Sequence, residues 1–231
     1  MEYVCISCGC QAPSLFCDYK GGVIKISLCA KCGKPVDKYI EHDRVIVSLD
    51  AILLKRGAFR HILINSGIKS HWKFCLVLLI CDAVTRLLRP STHNVEKAWP
   101  QDNVLYSALE IDLYWNFCLA AIDMFTFLVV VVTLMSVFKM FSKEKHDWPS
   151  FKDCMCGLML SMFGKMFVLP ALLWAHKYSA VYTWLSYLFT AAANVQALTV
   201  LCPKWHSLGM AISVVLGQCA SIGVSKVLQN I

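Results

Sequence analysis

The sequence predicts a mainly α-helical, polytopic membrane protein with a small N-terminal β-hairpin module built around cysteines. Three observations lead there. The composition is too apolar for a water-soluble surface, five long apolar segments follow residue 70, and two CxxCG pairs flank a strand–turn–strand pattern before residue 34. The chain divides accordingly into a cysteine module over residues 1–34, a basic amphipathic segment over 35–70, and a transmembrane region of about five helices over 71–231.

The hydrophobic fraction is 58% and the charged fraction 16%, against roughly 45–50% and about 25% in soluble domains. Polar groups this scarce cannot cover a water-facing surface, and lipid removes the need. The net charge is +7, and much of it lies in the first third, from Lys20 through Arg44 and Arg60 to Lys73. A basic flank before a first span favours cytosolic placement and attracts anionic headgroups. That accounts for the charge without a nucleic-acid partner.

A membrane helix needs about 20 mostly apolar residues. The candidates are Trp72–Leu88, weakened by Asp82 and Arg86; Leu113–Phe138, the clearest; Cys154–Ala175, which contains Lys165 and Pro170; Ala180–Leu201; and Leu208–Leu228. Arg89–Asp112 reads as a polar loop. The lysines of Lys139–Lys152 belong on the cytosolic side by the positive-inside rule. With a cytosolic N-terminus and a spanning first segment, the two agree. Four spans, with the first segment only dipping into the interface, is the alternative.

Thirteen cysteines are present. Most of those after residue 70 sit in or beside apolar segments, where Cys acts as a small hydrophobe. Cys5, Cys8, Cys29 and Cys32 differ. Each CxxC is followed by glycine, and the pair spacing lies at the edge of that of four-cysteine zinc sites. Two thiolates three positions apart reach one ion if the chain turns sharply, and glycine relieves that turn. Four thiolates close a tetrahedron, the structural form of zinc site. Leu15–Tyr19 and Val23–Leu28 read as strands joined at Lys20-Gly21-Gly22. A hairpin this small is marginal alone, so the metal supplies the missing stability. Cys10 and Cys17 are competing thiols. Met1–Gly9 already hold the first Cys pair and show no apolar leader, so the module is expected in a reducing compartment.

After the second pair, Asp43 can cap a helix running to about Asn65. Ile46, Leu49, Ile52, Leu53, Phe59 and Leu63 recur near helical spacing, with Lys55, Arg56, Arg60 and His61 clustered in the second half. The helix lies in the membrane interface, or packs on the cysteine module, or does both.

The double CxxCG, then Lys34-Pro35-Val36-Asp37-Lys38-Tyr39-Ile40-Glu41, Ala51-Ile52-Leu53 and Arg60-His61-Ile62-Leu63, resembles the homology domain of the Arv family. The likeness is close over about residues 3–65 and holds in general plan beyond. It implies a multi-pass endoplasmic-reticulum protein with its zinc module in the cytosol. The implied role is in sterol transport, sphingolipid balance and the supply of glycosylphosphatidylinositol intermediates. It also implies zinc ligation by Cys5, Cys8, Cys29 and Cys32.

Ionisable residues inside membrane segments are costly and mark functional sites. Asp82, Asp123 and Lys165 are such residues. Asp123 and Lys165 can pair across helices and are the candidates for a lipid path; snorkelling is the plainer reading of Lys165. Ser186, Thr190 and Asn194 share one helical face, as do Gly209, Ser213, Gly217, Ser221 and Ser225. The second ladder suits close helix packing, a narrow polar seam, or a homo-oligomer contact. The seven histidines are scattered, and no GxSxG, P-loop, HExxH or dinucleotide turn is present. An enzyme is therefore not expected. A lipid transporter, or a membrane scaffold recruiting lipid-synthesis enzymes, is.

Overall fold

The computed structural model describes residues 3–19, 23–66, 71–88, 102–141, 150–175, 180–203 and 205–229. Contacts divide the chain into two compact units: Met1–Lys69 with Gln196–Pro203, and Ser70–Val195 with Lys204–Ile231.

The first unit opens with β1 (Tyr3–Val4), paired antiparallel to β2 (Gln11–Ala12) around the first CxxC turn. The hairpin follows as β3 (Phe16–Tyr19) and β4 (Val23–Ile26), in register from Phe16 opposite Ile26 to Tyr19 opposite Val23. It lies within the expected strands, and its Lys20-Gly21-Gly22 turn is outside the described residues. Beyond β4 the Ser27 amide donates to the Leu15 carbonyl, and the Val36 amide to the Ser27 carbonyl. The Leu28–Pro35 bridge thus closes the second CxxC turn as β1–β2 closes the first.

The expected helix from Asp43 to Asn65 is broken. Asp43 does cap α1 (Arg44–Ile52), but Leu54 turns left-handed at φ 56°. The chain restarts as α2 (Arg56–Arg60) and passes into a π-turn at His61–Asn65. A straight helix would carry Ala58 and Phe59 away from the cysteine module. The bend instead buries Ala58 in one core with Ile6, Tyr39, Val47 and Ala51. Asp50 staples it: its carboxylate accepts from Tyr39 Oη at 2.8 Å and Lys55 Nζ at 2.7 Å. Gln196 Nε2 donates to the Leu54 carbonyl at 3.2 Å. One face of α1 therefore packs on the module, while Val45, Ile46, Leu49, Ile52 and Leu53 stay exposed, Leu53 by 65%.

The second unit is a helical bundle: α3 (His71–Leu87), α4 (Asp102–Phe141), α5 (Phe151–Ser161), α6 (Val168–Ala175), α7 (Ala180–Leu201, whose residues from Gln196 on belong to the first unit) and α8 (Ser207–Gln229). Among the described residues, four segments are long and apolar enough to cross a membrane: Leu109–Met140, Phe151–Trp174, Val181–Leu201 and Ser207–Gln229. The first expected span is α3, whose 17 residues reach about 25 Å, short of a bilayer core of about 30 Å. The expected Arg89–Asp112 loop is helical from Asp102, because no breaker follows Pro100 until α4 is complete. Residues 89–101 and 142–149 lie outside the described residues, Lys143 and Lys145 among them.

The third span is not one α-helix. A 3-10 turn at Met162–Phe167 joins α5 to α6, consistent with Pro170, which cannot donate to the carbonyl four residues back. This turn brings Gly164 against α7, where a Cβ would collide with the Phe189 ring and the Thr190 hydroxyl. On α8, Ser213, Gly217 and Ser221 are buried. A Cβ on Gly217 would come within 2.6 Å of Val131 Cγ2 on α4. The middle of the small-residue ladder thus packs within the chain. Phe127, Leu128, Val131, Leu158, Met210 and Val214 form the fully buried interior.

Candidate metal centre and intramembrane charge cluster

The two CxxC turns are built alike. Gly9 donates to the Cys5 carbonyl and Gly33 to the Cys29 carbonyl, both at 2.9 Å. Each glycine is left-handed, at φ 80° and 67°, which suits a residue without Cβ. The Cys5 amide donates to the Cys10 carbonyl at 2.8 Å and the Cys29 amide to the Lys34 carbonyl at 2.9 Å. The repetition aims four sulfurs at one point: the Sγ atoms of Cys5, Cys8, Cys29 and Cys32 lie within 4.8 Å of one another.

The Cys5–Cys32 and Cys8–Cys29 Sγ separations are 3.8 and 3.5 Å. Disulfide sulfurs sit about 2.05 Å apart. Sulfurs about 2.3 Å from a tetrahedral ion lie about 3.8 Å from one another. The set therefore fits a closed four-sulfur metal site with no position left for substrate. Cys10 and Cys17 stay outside it.

The electrostatics prepare the thiols unequally. The Cys10 backbone amide pulls the Cys8 thiol down to about 6, further helped by the neighbouring sulfurs against the opposing effect of burial. The Lys34 amide acts on Cys32 in the same sense, but burial and the other thiols outweigh it and push that thiol up to about 11. Arg60 Nη1 donates to the Ile6 and Ser7 carbonyls at 3.0 and 3.1 Å. It thereby sets a permanent cation against the first turn.

A buried polar network ties the π-turn to the module. Asp37 is fully buried. Its carboxylate accepts from the Tyr39 amide at 2.9 Å and Asn65 Nδ2 at 2.8 Å, and pairs with His61 Nδ1 at 2.7 Å. Asn65 also exchanges two hydrogen bonds with the Val4 backbone. Arg60 and His61, for which the sequence left both headgroup contacts and packing on the module open, make these contacts within the module.

In the bundle, Asp123 and Lys165 meet as expected: Lys165 Nζ lies 3.1 Å from Asp123 Oδ2 and 3.4 Å from Asp82 Oδ2. Snorkelling is thereby replaced by pairing within the protein. Arg86, which the sequence marked only as an interruption, completes the cluster at 2.8 Å from Asp123 Oδ2 and 3.5 Å from Asp82 Oδ1. Its signal was present in the i, i+4 spacing from Asp82. Ser221 donates to Asp123, and Arg86 to Ser225 Oγ at 2.7 Å. Two acids and two bases cancel, which is how charges persist in apolar surroundings.

The Arv1-like family matches residues 4–198, a range that holds both CxxC turns and the bundle into α7. The chain belongs to the Arv1-like family. Among Arv1-like relatives, Protein ARV1 of Homo sapiens is 39% identical over 199 residues, covering 86% of this chain and 72% of that protein. Protein ARV1 of Mus musculus is 37% identical over 198 residues, covering 86% and 73%. The Protein arv1 homolog of Dictyostelium discoideum is 26% identical over 214 residues, covering 85% and 83%. No solved structure matches the chain.

Proposed function

We propose that this Arv1-like protein is a non-enzymatic, multi-pass protein of the endoplasmic-reticulum membrane that moves sterols and other lipids, or supports their movement. Sphingolipid balance and the supply of glycosylphosphatidylinositol intermediates follow from that activity. The observation that carries the reading is the intramembrane polar system. Asp82, Arg86, Asp123 and Lys165 form a neutral cluster inside apolar helices, beside the buried Ser186, Thr190 and Asn194 of α7. A polar seam at bilayer depth gives a lipid's polar group a path that hydrocarbon does not.

The metal is zinc, because four thiolates that close a tetrahedron suit that ion. Its role is to hold the N-terminal unit together on the cytosolic side. The exposed apolar face of α1, flanked by exposed Arg44, Lys55 and Arg56, suits the boundary of an anionic leaflet, with aliphatic side chains among acyl chains and cations on headgroups. The same face supports the second reading, a scaffold that recruits lipid-synthesis enzymes.

Purified full-length protein in vesicles separates the two. Sterol or glycolipid movement between leaflets or vesicles, without other proteins, is expected. Movement only after a partner enzyme is added would transfer the role to the scaffold.

A further inference from the structure

A pocket opens beside the charge cluster, bounded by Phe127, Met162, Lys165, Tyr187, Thr190 and Gln218. Its free volume is about 10 Å³, room for one oxygen-sized group. Thr190 is 2% exposed, and its buried hydroxyl has no hydrogen-bond partner among the described residues. Its neighbours on the same face are engaged: Ser186 donates to the Gly164 carbonyl at 2.8 Å, and Asn194 accepts from Ser161 at 2.8 Å. Lys165 is occupied by Asp82 and Asp123, and Ser221 by Asp123.

These facts restrict the ligand. The cluster is neutral, so an anionic or cationic headgroup would bring a charge with no counter-charge in the site. The space admits one small polar group. The unmet protein group is a hydroxyl, which donates and accepts. Phe127, Met162 and the Tyr187 ring offer a hydrocarbon wall. We propose that this pocket binds the single hydroxyl of an uncharged membrane lipid, with Thr190 Oγ1 as its hydrogen-bond partner. The inference rests on reading the protein as lipid-handling and names the polar group that the seam selects. Sterols and diacylglycerols share that chemistry.

The test uses the full chain in phosphatidylcholine nanodiscs. The probes are photoactivatable cholesterol, its 3-deoxy counterpart and photoactivatable diacylglycerol, with labelled positions mapped by mass spectrometry. Saturable labelling around Thr190 by at least one hydroxyl probe is expected, and the probe that labels identifies the source. The 3-deoxy sterol and Thr190→Val should label about fivefold less, the worth of one neutral hydrogen bond, while Thr190→Ser retains labelling. Equal labelling by the deoxy sterol where the sterol labels, wild-type labelling of Thr190→Val, or no saturable labelling by either hydroxyl probe would overturn the proposal; the last would leave the pocket to water. Should Thr190→Val not fold, the wild-type probe comparison still decides. Lipid movement in vesicles with labelling elsewhere would sink this site and keep the function. Labelling at Thr190 without movement would do the reverse.

Discussion

Replacing Lys165 with methionine keeps most of the side-chain volume and removes its charge. Lys165 faces Asp82 and Asp123, and its side chain is only 16% exposed. Without it, the two carboxylates share Arg86 alone and the cluster carries one uncompensated negative charge. Breaking a buried ion pair from one side costs about 3–5 kcal/mol in soluble proteins. Polar contacts within membranes are worth less, because the unfolded reference state also finds partners, so a loss of about 3 kcal/mol is expected. Asp123→Asn leaves one excess positive charge and should cost a similar amount. Together the two substitutions leave Asp82 with Arg86, which is neutral. The double variant should therefore lose about 3 kcal/mol rather than about 6, a coupling near 3 kcal/mol. Reversible unfolding of the full chain in mixed micelles, titrated with dodecyl sulfate, measures all three. Additive losses, or a single loss below about 1 kcal/mol, would refute the cluster as a balanced unit.

Gly217→Ala should destabilise the bundle by about 1–3 kcal/mol in the same assay, because its Cβ meets Val131 and Phe127 on α4. Leu54→Gly should stabilise the N-terminal unit by up to about 1 kcal/mol, since a left-handed leucine costs roughly 1–2 kcal/mol and glycine's extra chain entropy returns part of it; hydrogen exchange of α1 and α2 reads this. The Lys55 ammonium first, and then the Tyr39 hydroxyl, hold the Asp50 carboxyl below its usual range. Its stabilisation is therefore complete above the ordinary aspartate range near 4 and is lost as pH falls through the lower folded value. Exchange protection of α1 should decline on acidification, and Asp50→Asn should flatten that dependence.

The four-cysteine cluster was legible because each half is local. Cys5 and Cys8, or Cys29 and Cys32, need only one tight turn and one left-handed glycine to aim two sulfurs, and the sequence prints both. The spans were legible through length and apolarity, and the Asp43 cap through its side chain. The bend at Leu54 was not, because no glycine or proline marks it. Tyr39, Asp50, Lys55 and Gln196 fix a backbone that leucine does not favour, and they converge only in three dimensions. The partners of Arg60 and His61 were hidden for a related reason. Cations on an amphipathic segment look like headgroup contacts, yet these two reach carbonyls and a carboxylate more than 20 positions away. Asp123 and Lys165 were readable as a pair because buried charge demands a partner. Arg86 was not legible as the fourth charge of a neutral set, because a lone cation in an apolar segment reads as an interruption until the fold brings Asp123 and Lys165 to it.

The claim on which the N-terminal unit depends is that four sulfurs hold one zinc ion. Elemental analysis of the full chain, purified in detergent without added metal, tests it directly. About one zinc per chain is expected, with the content sharply reduced in Cys29→Ser. A folded chain free of metal, or unchanged stoichiometry in that variant, would contradict it.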